Sequence, residues 1–341
     1  MGIPQEAIQS GPGRHALFLT LVIGPTEDDA QGVRQLGVDL AGLVRTVGHR
    51  DESAALSCVL AIGADVWDRL APGRSRPAQL HPFRALEDGT RRAPSTPGDL
   101  LLHIRAERAD FCYELGRLII GRMGPAVQVV DETYGFSYMD NRDLTGFVDG
   151  TENPAGEARR EATLVGEEDP AHAGGTYLTV QRYVTDFDRW AQTPTAEQEQ
   201  VIGRTKAAGI ELEGPSTAHK ERAKLVRDGV ELKILRQNRA WGTTRESGTY
   251  FIAYARDLSV TEAMLERMFI ADAEGVYDHL LDFTHAVTGA NFFAPAVEVL
   301  ESLAVTEGVL ESLTVSEGAT AAEVPADETL GIGSLREREQ S

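Results

Sequence analysis

Residues 146–154 read GFVDGTENP, and this stretch separates two halves of the chain that share one order of predicted strands and helices. Its two glycines tolerate positive φ and its proline fixes φ, which predicts an ordered loop and neither a helix nor a central strand. Asp149 lies between Val148 and Gly150, so its carboxyl group can meet a ligand with little side chain in the way. The Asp-Gly pair is equally typical of a surface turn, so the rest of the chain has to decide between the two interpretations.

Upstream of this loop, the spacing of apolar residues predicts strand, helix and strand, and then the same three elements again. We predict strands at 15–23, 56–62, 100–105 and 126–138, long helices at 28–47 and 109–123, and a short helix at 64–70. This is the element order of a ferredoxin-like sandwich. The polar residues 1–13 are expected to form a loose arm, and residues 72–98 a loop.

Downstream of the loop and a charged segment at 157–170, the same order appears again. We predict strands at 175–184, 231–236, 249–255 and near 291–296, helices at 195–206 and 260–269, and a helical turn at 276–283. The fold class is therefore α+β, with two ferredoxin-like domains built on antiparallel sheets. The predicted domains are residues 1–145 and 146–298, with the GFVDGTENP loop at their junction.

The chain changes character after residue 298. Residues 299–308 (VLESLAVTEG) and 309–318 (VLESLTVSEG) are near duplicates, and residues 299–329 read as an acidic linker. The tail, residues 330–341, begins with the small apolar motif LGIGSLR. At the end of a tether this motif can dock in extended form on a partner, or it can be an unstructured tail.

The composition limits the possible partners and the compartment. Hydrophobic residues make up 42% of the chain, enough for a core, whereas 53 acidic against 33 basic residues give a net charge of −20. This charge opposes binding to nucleic acid or to an anionic membrane through a general electrostatic field. The apolar runs are too short to span a membrane, and the one at 16–23 reads as a strand. Cys58 and Cys112 lie singly in apolar runs and are expected to be buried free thiols, which favours the cytoplasm.

Three further residues, His219, Arg236 and Asn238, indicate a functional site only when they are considered together. His219 opens the segment that leads into the predicted strand at 231–236, although a single histidine is more often structural than a metal ligand. Arg236 and Asn238 alternate with apolar neighbours and should share one face of that strand. They can form a polar cap over a ligand or an exposed edge with an ion pair.

Asp278 and Asp282 are four residues apart and share a face if residues 276–283 are helical. A carboxylate at this place can accept the Nδ1–H of a metal-bound histidine, which fixes the tautomer and makes the imidazole a stronger donor. Two solvated carboxylates are the alternative.

Together these positions resemble a dye-decolorizing peroxidase of the bacterial B type. The resemblance covers about residues 15–297 and rests on GFVDGTENP, His219, RQN at 236–238, YFIAY at 250–254, and TG at 288–289 with FFAP at 292–295. The Gly-x-x-Asp-Gly signature is short, but TENP and the downstream His and Arg make it specific. The tail motif LGIGSLR, residues 330–336, resembles the segment that targets such peroxidases to the shell protein of encapsulin nanocompartments.

The resemblance implies a haem b group held between the sheet and the helices of the second domain. It implies that His219 is the axial ligand of the haem iron and that Asp149 and Arg236 form the catalytic pair, with Asn238 beside them. Asp278 is the chosen partner of His219 and Asp282 the alternative, since their spacing does not separate them. Glu152, like Asn153, is expected to hold the shape of the loop, and Glu152 also to lie at the haem rim.

The resemblance further implies hydrogen peroxide and a reducing substrate as reactants, and a homo-oligomer between dimer and hexamer. Where the family commonly has a Pro-aromatic-Gly step, this chain has Arg239 to Gly242, so the shape of that loop is expected to differ. A carboxylate near the iron can move a proton between the two oxygens of peroxide. We expect Arg236 to keep Asp149 ionised and to stabilise developing negative charge.

Two questions stay open in the sequence. The first is whether the chain is an active peroxidase or a haem-binding or haem-handling protein with little turnover, because only the former needs a competent Asp149–Arg236 pair. The second is the exit path of electrons to large donors, for which a surface Tyr or Trp is expected. The candidates by residue type are Trp190, Trp241, Tyr183 and Tyr250.

Overall fold

The computed structural model describes residues 2–304, so the expected tail and most of the acidic linker lie outside the described residues. The strands are β1 (His15–Ile23), β2 (Ser57–Gly63), β3 (Leu86–Asp88), β4 (Arg91–Ala93), β5 (Leu100–Ala106), β6 (Val127–Phe136), β7 (Thr176–Thr185), β8 (Leu225–Arg227), β9 (Val230–Leu232), β10 (Leu235–Arg236), β11 (Arg239–Gly242), β12 (Ser247–Ala255), β13 (Thr284–Ala286) and β14 (Ala290–Ala294). The α-helices are α1 (Glu6–Gln9), α2 (Glu27–Gly48), α3 (Trp67–Leu70), α4 (Ala109–Met123), α5 (Gly156–Thr163), α6 (Phe187–Gln192), α7 (Thr195–Ile202), α8 (His219–Arg222), α9 (Leu258–Phe269) and α10 (Val297–Ser302). Between residues 2 and 304, none of these helices has the length and apolar character needed to cross a bilayer.

Eight strands close into a ring of antiparallel pairs. Around the ring the order is β6, β1, β5, β2, β14, β7, β12 and β11, and β11 pairs back onto β6. The first four strands have the order of a ferredoxin-like sheet, and β14, β7, β12 and β10/β11 repeat that order in the second half. The predicted α+β class with two antiparallel sheets is confirmed, and the pairs β6–β11 and β2–β14 join the two sheets.

Successive side chains of a strand point to opposite faces of the sheet and pack in two separate hydrophobic cores. In β1, Leu17, Leu19 and Leu21 pack in a cluster with apolar residues of α2 and α4, whereas Phe18 belongs to a cluster inside the ring. All four of these side chains are at most 2% exposed. Burying each stabilises the fold by about 1.5–3 kcal/mol, so β1 is fixed from both of its faces.

The core inside the ring is built by both halves. Phe18 stacks on Tyr250 of β12 with ring centroids 3.8 Å apart, and on His103 of β5 at 4.7 Å. The Nδ1 atom of His103 lies 2.6 Å from the hydroxyl oxygen of Tyr254. This aromatic stack couples the first sheet to the second.

The outer face of the second sheet is covered by α9. The buried positions of α9 include Met264, Leu265 and Met268, which lie on one face of the helix. Phe251 of β12 packs against the clusters that contain them. Together, α9 and this face of the sheet enclose the cavity described below.

The N-terminal segment is not the loose arm that its polar composition predicts. Gln5, Ala7 and Ile8 are at most 5% exposed. The side-chain amide of Gln5 accepts a hydrogen bond from Leu60 N at 3.0 Å and donates one to Leu60 O at 2.8 Å. These long-range bonds fix the segment, and composition cannot reveal them.

Local differences from the predicted elements have simple causes. The helix predicted at 195–206 ends at Ile202, because Gly203 adopts φ 84° in the left-handed region. The strand predicted at 231–236 is interrupted and forms β9 and β10. The predicted loop at 72–98 contains the hairpin β3–β4, and the charged segment at 157–170 contains α5.

Candidate functional site

A cavity lies between the outer face of the second sheet and helices α8 and α9. Every residue that lines it falls between 143 and 284, so the second half of the chain builds it alone. Its apolar lining is Phe147, Val148, Ile202, Ala223, Ile234, Phe251, Met264, Leu265, Met268, Leu280 and Leu281. The remaining lining is polar and includes His219, two carboxylates, Arg236 and Asn238. Apolar walls with placed polar groups are typical of clefts that hold a cofactor.

His219 presents its ring to this cavity from the start of α8. Its Nδ1 atom lies 2.6 Å from Oδ2 of Asp278, a side chain that is 0% exposed. No hydrogen bond joins its Nε2 atom to another residue in the range 2–304, and the ring is 30% exposed to the cavity side. Burial lowers the pKa of His219, but the charge and hydrogen bond of Asp278 outweigh it and raise the pKa above its ordinary value. An Nδ1–H held by Asp278 leaves the Nε2 lone pair free to bind a metal.

Asp278 and Asp282 do not share a helical face. Asp278 caps a 3-10 helix, His279–Asp282, and its Oδ1 atom accepts a hydrogen bond from Leu280 N at 2.9 Å. Asp282 instead accepts one from the Tyr277 hydroxyl at 3.0 Å. The predicted i, i+4 alignment is wrong because the short helix is not α-helical. Of the two carboxylates, the structure places Asp278 against His219.

Asp149 reaches the same cavity from the GFVDGTENP loop. Its backbone N–H donates to Asn141 O at 2.9 Å, and its Oδ1 atom accepts a hydrogen bond from Gly150 N at 2.7 Å. Gly150 has φ 76°, a conformation that costs an L side chain about 1–2 kcal/mol. The glycine after Asp149 is therefore required by the turn, which aims the carboxylate into the cavity.

The expectation that Arg236 keeps Asp149 ionised stays a prediction, because opposing influences act on the pKa of Asp149. Desolvation and, after it, the nearby Asp143 carboxylate raise the pKa of Asp149 above its ordinary value. The charge of Arg236 acts in the opposite direction and does not outweigh them. The two side chains are not in ion-pair contact among the described residues, which explains the weak effect.

Arg236 and Asn238 line the cavity as the predicted alternation requires, whereas Gln237 between them is 3% exposed and turned away. Within residues 2–304 the guanidinium of Arg236 has no hydrogen-bonded partner, although it faces the cavity. Asn238 accepts a hydrogen bond from Ile252 N at 3.3 Å through Oδ1. A half-buried edge that carries a guanidinium without a hydrogen-bonded partner and an amide is suited to a polar or anionic ligand.

Glu152 lies away from this lining, in an adjoining cavity that shares His219, Asp149 and Arg236 with the first. Glu152 pairs with Lys233, 3.1 Å away, and with Arg204. The hydrogen bond from Lys233 is the main cause that lowers the pKa of Glu152. Glu152 therefore belongs to a charged mouth and not to the apolar pocket.

Asp143 and Thr249 are cavity residues that the sequence did not identify. Asp143 accepts hydrogen bonds from the Thr249 hydroxyl and, at 2.8 Å, from Thr145 N. The alternation of β12, which places Thr249 and Phe251 on the face opposite to Tyr250, could have identified Thr249. Asp143 belongs to no short motif, and only the folded loop brings it near Asp149.

None of the four aromatic residues named as exits for electrons lies at the surface. Trp190, Trp241, Tyr183 and Tyr250 are at most 7% exposed. Tyr183 lines the cavity, and its hydroxyl donates to Gln181 Oε1 at 2.8 Å. Residue type did not predict exposure: Trp241, Tyr183 and Tyr250 lie in strands, and Trp190 of α6 packs in a cluster with Phe147 and Phe283.

Comparison with known proteins identifies the family. The model of the Dyp-type peroxidase N-terminal region matches residues 5–137, and that of the C-terminal region matches residues 140–299. A dye-decolorizing peroxidase of Rhodococcus erythropolis is 43% identical over 331 residues, which cover 95% of each chain. The chain therefore belongs to the Dyp-type peroxidase family, and the family read from the sequence is confirmed.

Solved structures agree with this assignment. A variant of DypB from Rhodococcus jostii RHA1 in complex with heme has a TM-score of 0.85 and 47% identity, covering 88% of this chain and 98% of that one. The encapsulated DyP-type peroxidase from Mycobacterium smegmatis, solved by cryo-EM, has a TM-score of 0.85 and 46% identity with the same coverage.

Proposed function

We propose that the protein is a haem peroxidase that reduces hydrogen peroxide and oxidises dyes or other aromatic one-electron donors. The observation that carries the proposal is the environment of His219. Its Nδ1 atom is held by the buried carboxylate of Asp278, and its Nε2 atom faces the cavity. A carboxylate and an unpaired guanidinium line the same cavity. Membership of the Dyp-type peroxidase family supports the same function.

The cavity fits haem b by the chemistry of its walls. Apolar side chains from α9, the loop and β12 suit the faces of a macrocycle, and His219 supplies the imidazole that haem iron takes as an axial ligand. The charged mouth carries Arg204, Lys220 and Lys233, which suit the carboxylate substituents of haem b. When bound, haem would supply the iron that binds peroxide and the redox equivalents of the reaction.

The side chains that line the cavity move a proton and stabilise the negative charge that develops during the reaction. Reduction of hydrogen peroxide to two waters takes two protons and two electrons, and two one-electron donors provide the electrons. Asp149 in its carboxylate form takes a proton from one peroxide oxygen and returns it to the other through Oδ. Arg236 stabilises the negative charge that develops on the departing oxygen, and Asn238 orients the bound peroxide. Asp278 holds His219 in one tautomer, and Glu152 holds the mouth at the haem rim.

The test of these roles is the double variant Asp149→Ala, Arg236→Ala. We expect the haem-loaded variant to lose at least about 100-fold in its rate with peroxide, as removal of preorganised charge does elsewhere. The control is Asp68→Ala, Arg76→Ala, an exposed acid–base pair 2.8 Å apart outside the cavity lining. Full activity in the first variant would refute the assigned pair, and a haem-loaded wild type without turnover would favour a haem-handling protein.

We also propose that the protein is encapsulin cargo, cytoplasmic and homo-oligomeric. The support is the tail motif LGIGSLR at residues 330–336 and the similarity to an encapsulated peroxidase of another organism. Deletion of residues 328–341 should abolish co-purification with a co-expressed encapsulin shell protein and leave peroxidase activity intact. Loss of haem binding on deletion would instead make the tail part of the fold. The mass of the purified protein in solution measures the oligomeric state, expected between dimer and hexamer.

A further inference from the structure

We infer that Asn153 is a positioning residue that fixes the backbone of Arg236 relative to Asp149. The inference rests on the proposed function, because it concerns the geometry of the pair that handles peroxide. It goes beyond the expectation that Asn153 holds the shape of its own loop. Its basis is a pair of hydrogen bonds between two segments 83 residues apart in sequence.

The side-chain amide of Asn153 uses both of its ends on one residue. Arg236 N donates to Oδ1 of Asn153 at 2.9 Å, and Nδ2 of Asn153 donates to Arg236 O at 2.7 Å. This is the exchange of N–H and C=O bonds that a neighbouring strand makes in an antiparallel sheet. The amide of Asn153 therefore replaces a strand at this point.

Strand β10 needs such a partner. It has only two residues, Leu235 and Arg236, and among the described strands it pairs with β12 alone. The neighbouring β11 pairs with the end of β6 at Phe136, which does not reach β10. Without Asn153, the outward N–H and C=O of Arg236 would lose these partners, and the edge of β10 would be less well fixed.

A short turn connects Asn153 to Asp149. Asn153 N donates to Gly150 O at 3.3 Å, and Gly150 follows Asp149 directly in the left-handed conformation. Asp149 is itself fixed by its hydrogen bond to Asn141 O. One tight turn thus links Asp149 to the amide that holds the backbone of Arg236. The guanidinium of Arg236 makes no hydrogen bond within residues 2–304, so its position depends on that backbone.

The experiment compares Asn153→Ala and the isosteric Asn153→Asp with Gln5→Ala. Asn153→Asp keeps the size of the side chain but cannot donate to Arg236 O. Gln5 is a matched control, because its amide makes the same two-ended pair with the backbone of Leu60, away from the cavity. All proteins are loaded with haem to equal content, and thermal stability is recorded for each.

We expect both Asn153 variants to react with hydrogen peroxide about 10–100-fold more slowly, the loss expected from a displacement of about 1 Å in a reacting pair. Their affinity for cyanide, which also gives up a proton on binding, should fall in parallel, and kcat/KM for the dye should stay unchanged. The amide of Arg236 should exchange its hydrogen faster. Gln5→Ala should lose stability and keep the wild-type peroxide rate.

Two results would overturn the inference and differ from each other. If wild type reacts with peroxide and both Asn153 variants match it, or if exchange at the Arg236 amide is unchanged, Asn153 does not position Arg236. If haem-loaded wild type itself does not react with peroxide or bind cyanide, the proposed function fails and this inference fails with it.

Discussion

At the residue scale, the carboxylates of Asp143 and Asp149 face the same cavity, and their charges interact. Asp143 is held by Thr249 and by Thr145 N, while Asp149 accepts a hydrogen bond only from Gly150 N among the described residues. Desolvation and the charge of Asp143 together raise the pKa of Asp149. A raised pKa brings the proton affinity of a carboxylate closer to neutral pH, which suits a group that takes up and returns a proton.

The variant Asp143→Asn tests this interaction. The peroxide reaction needs the Asp149 carboxylate, so its rate should fall as pH falls through the pKa of Asp149, above the ordinary value of about 3.9. Removing the charge of Asp143 lowers that pKa, so the acid limb of the pH profile should move to lower pH. The Oδ1 atom of asparagine can still accept from Thr145 N, and its Nδ2 atom can donate to the Thr249 hydroxyl oxygen, which keeps the local structure. An acid limb that stays in place would contradict the assignment, and Asp149→Asn should remove the limb.

At this scale the sequence identified residue types but not their contacts. The alternation of residues 235–238 was enough to place Arg236 and Asn238 on one face. Spacing could not separate Asp278 from Asp282, because the choice depends on a 3-10 helix and on the packing of α8. Asp143 was missed because its role depends on a loop folding back on itself.

At the scale of elements, the GFVDGTENP loop combines local and long-range constraints. Gly150 provides the left-handed residue of the turn, and Asn153 attaches the turn to β10. The sequence predicted an ordered loop from its glycines and proline. The bond to β10 could not be predicted, since nothing in a sequence reports which edge of which strand lacks a partner. Long strands and helices were predicted well, because their apolar spacing is a local property.

The variant Gly150→Ala tests whether strain in the turn changes the peroxide reaction as well as the stability of the fold. Gly229, in the turn between β8 and β9, has φ 77° against 76° for Gly150, so Gly229→Ala is a matched control. Each variant should lose about 1–2 kcal/mol of stability in thermal or urea unfolding. Only Gly150→Ala should also slow the peroxide reaction, because relaxation of its φ moves Asp149. Equal peroxide rates in the two variants would show that the turn does not control the site.

At the scale of the whole molecule, the closed ring joins two ferredoxin-like sheets around one core. The order of elements predicted the two sheets but not their closure, which depends on the edge pairs β6–β11 and β2–β14. The core contains His103, which is 0% exposed and stacked on Phe18. Burial, with the charges of Arg105 and Arg239, holds the pKa of His103 well below its ordinary value.

The buried histidine predicts a loss of stability in acid. Below about pH 6.5 the unfolded chain binds a proton at His103 that the folded protein does not, so stability falls as pH falls. The contribution approaches about 1.4 kcal/mol per pH unit for this one group. His103→Gln does not titrate, so its unfolding free energy should change less between pH 7 and 5 than that of wild type. Equal slopes in urea unfolding at several pH values would contradict this prediction.

The central claim is that His219 presents a metal-binding nitrogen to a cavity that fits haem. The most direct measurement is the absorption spectrum of the purified, haem-supplied protein before and after one equivalent of hydrogen peroxide, with His219→Ala in parallel. We predict a Soret band in wild type that changes on addition of peroxide and returns when a reducing dye is added, and its loss in His219→Ala. A spectrum without a Soret band in wild type, or an unchanged Soret band in His219→Ala, would contradict the claim.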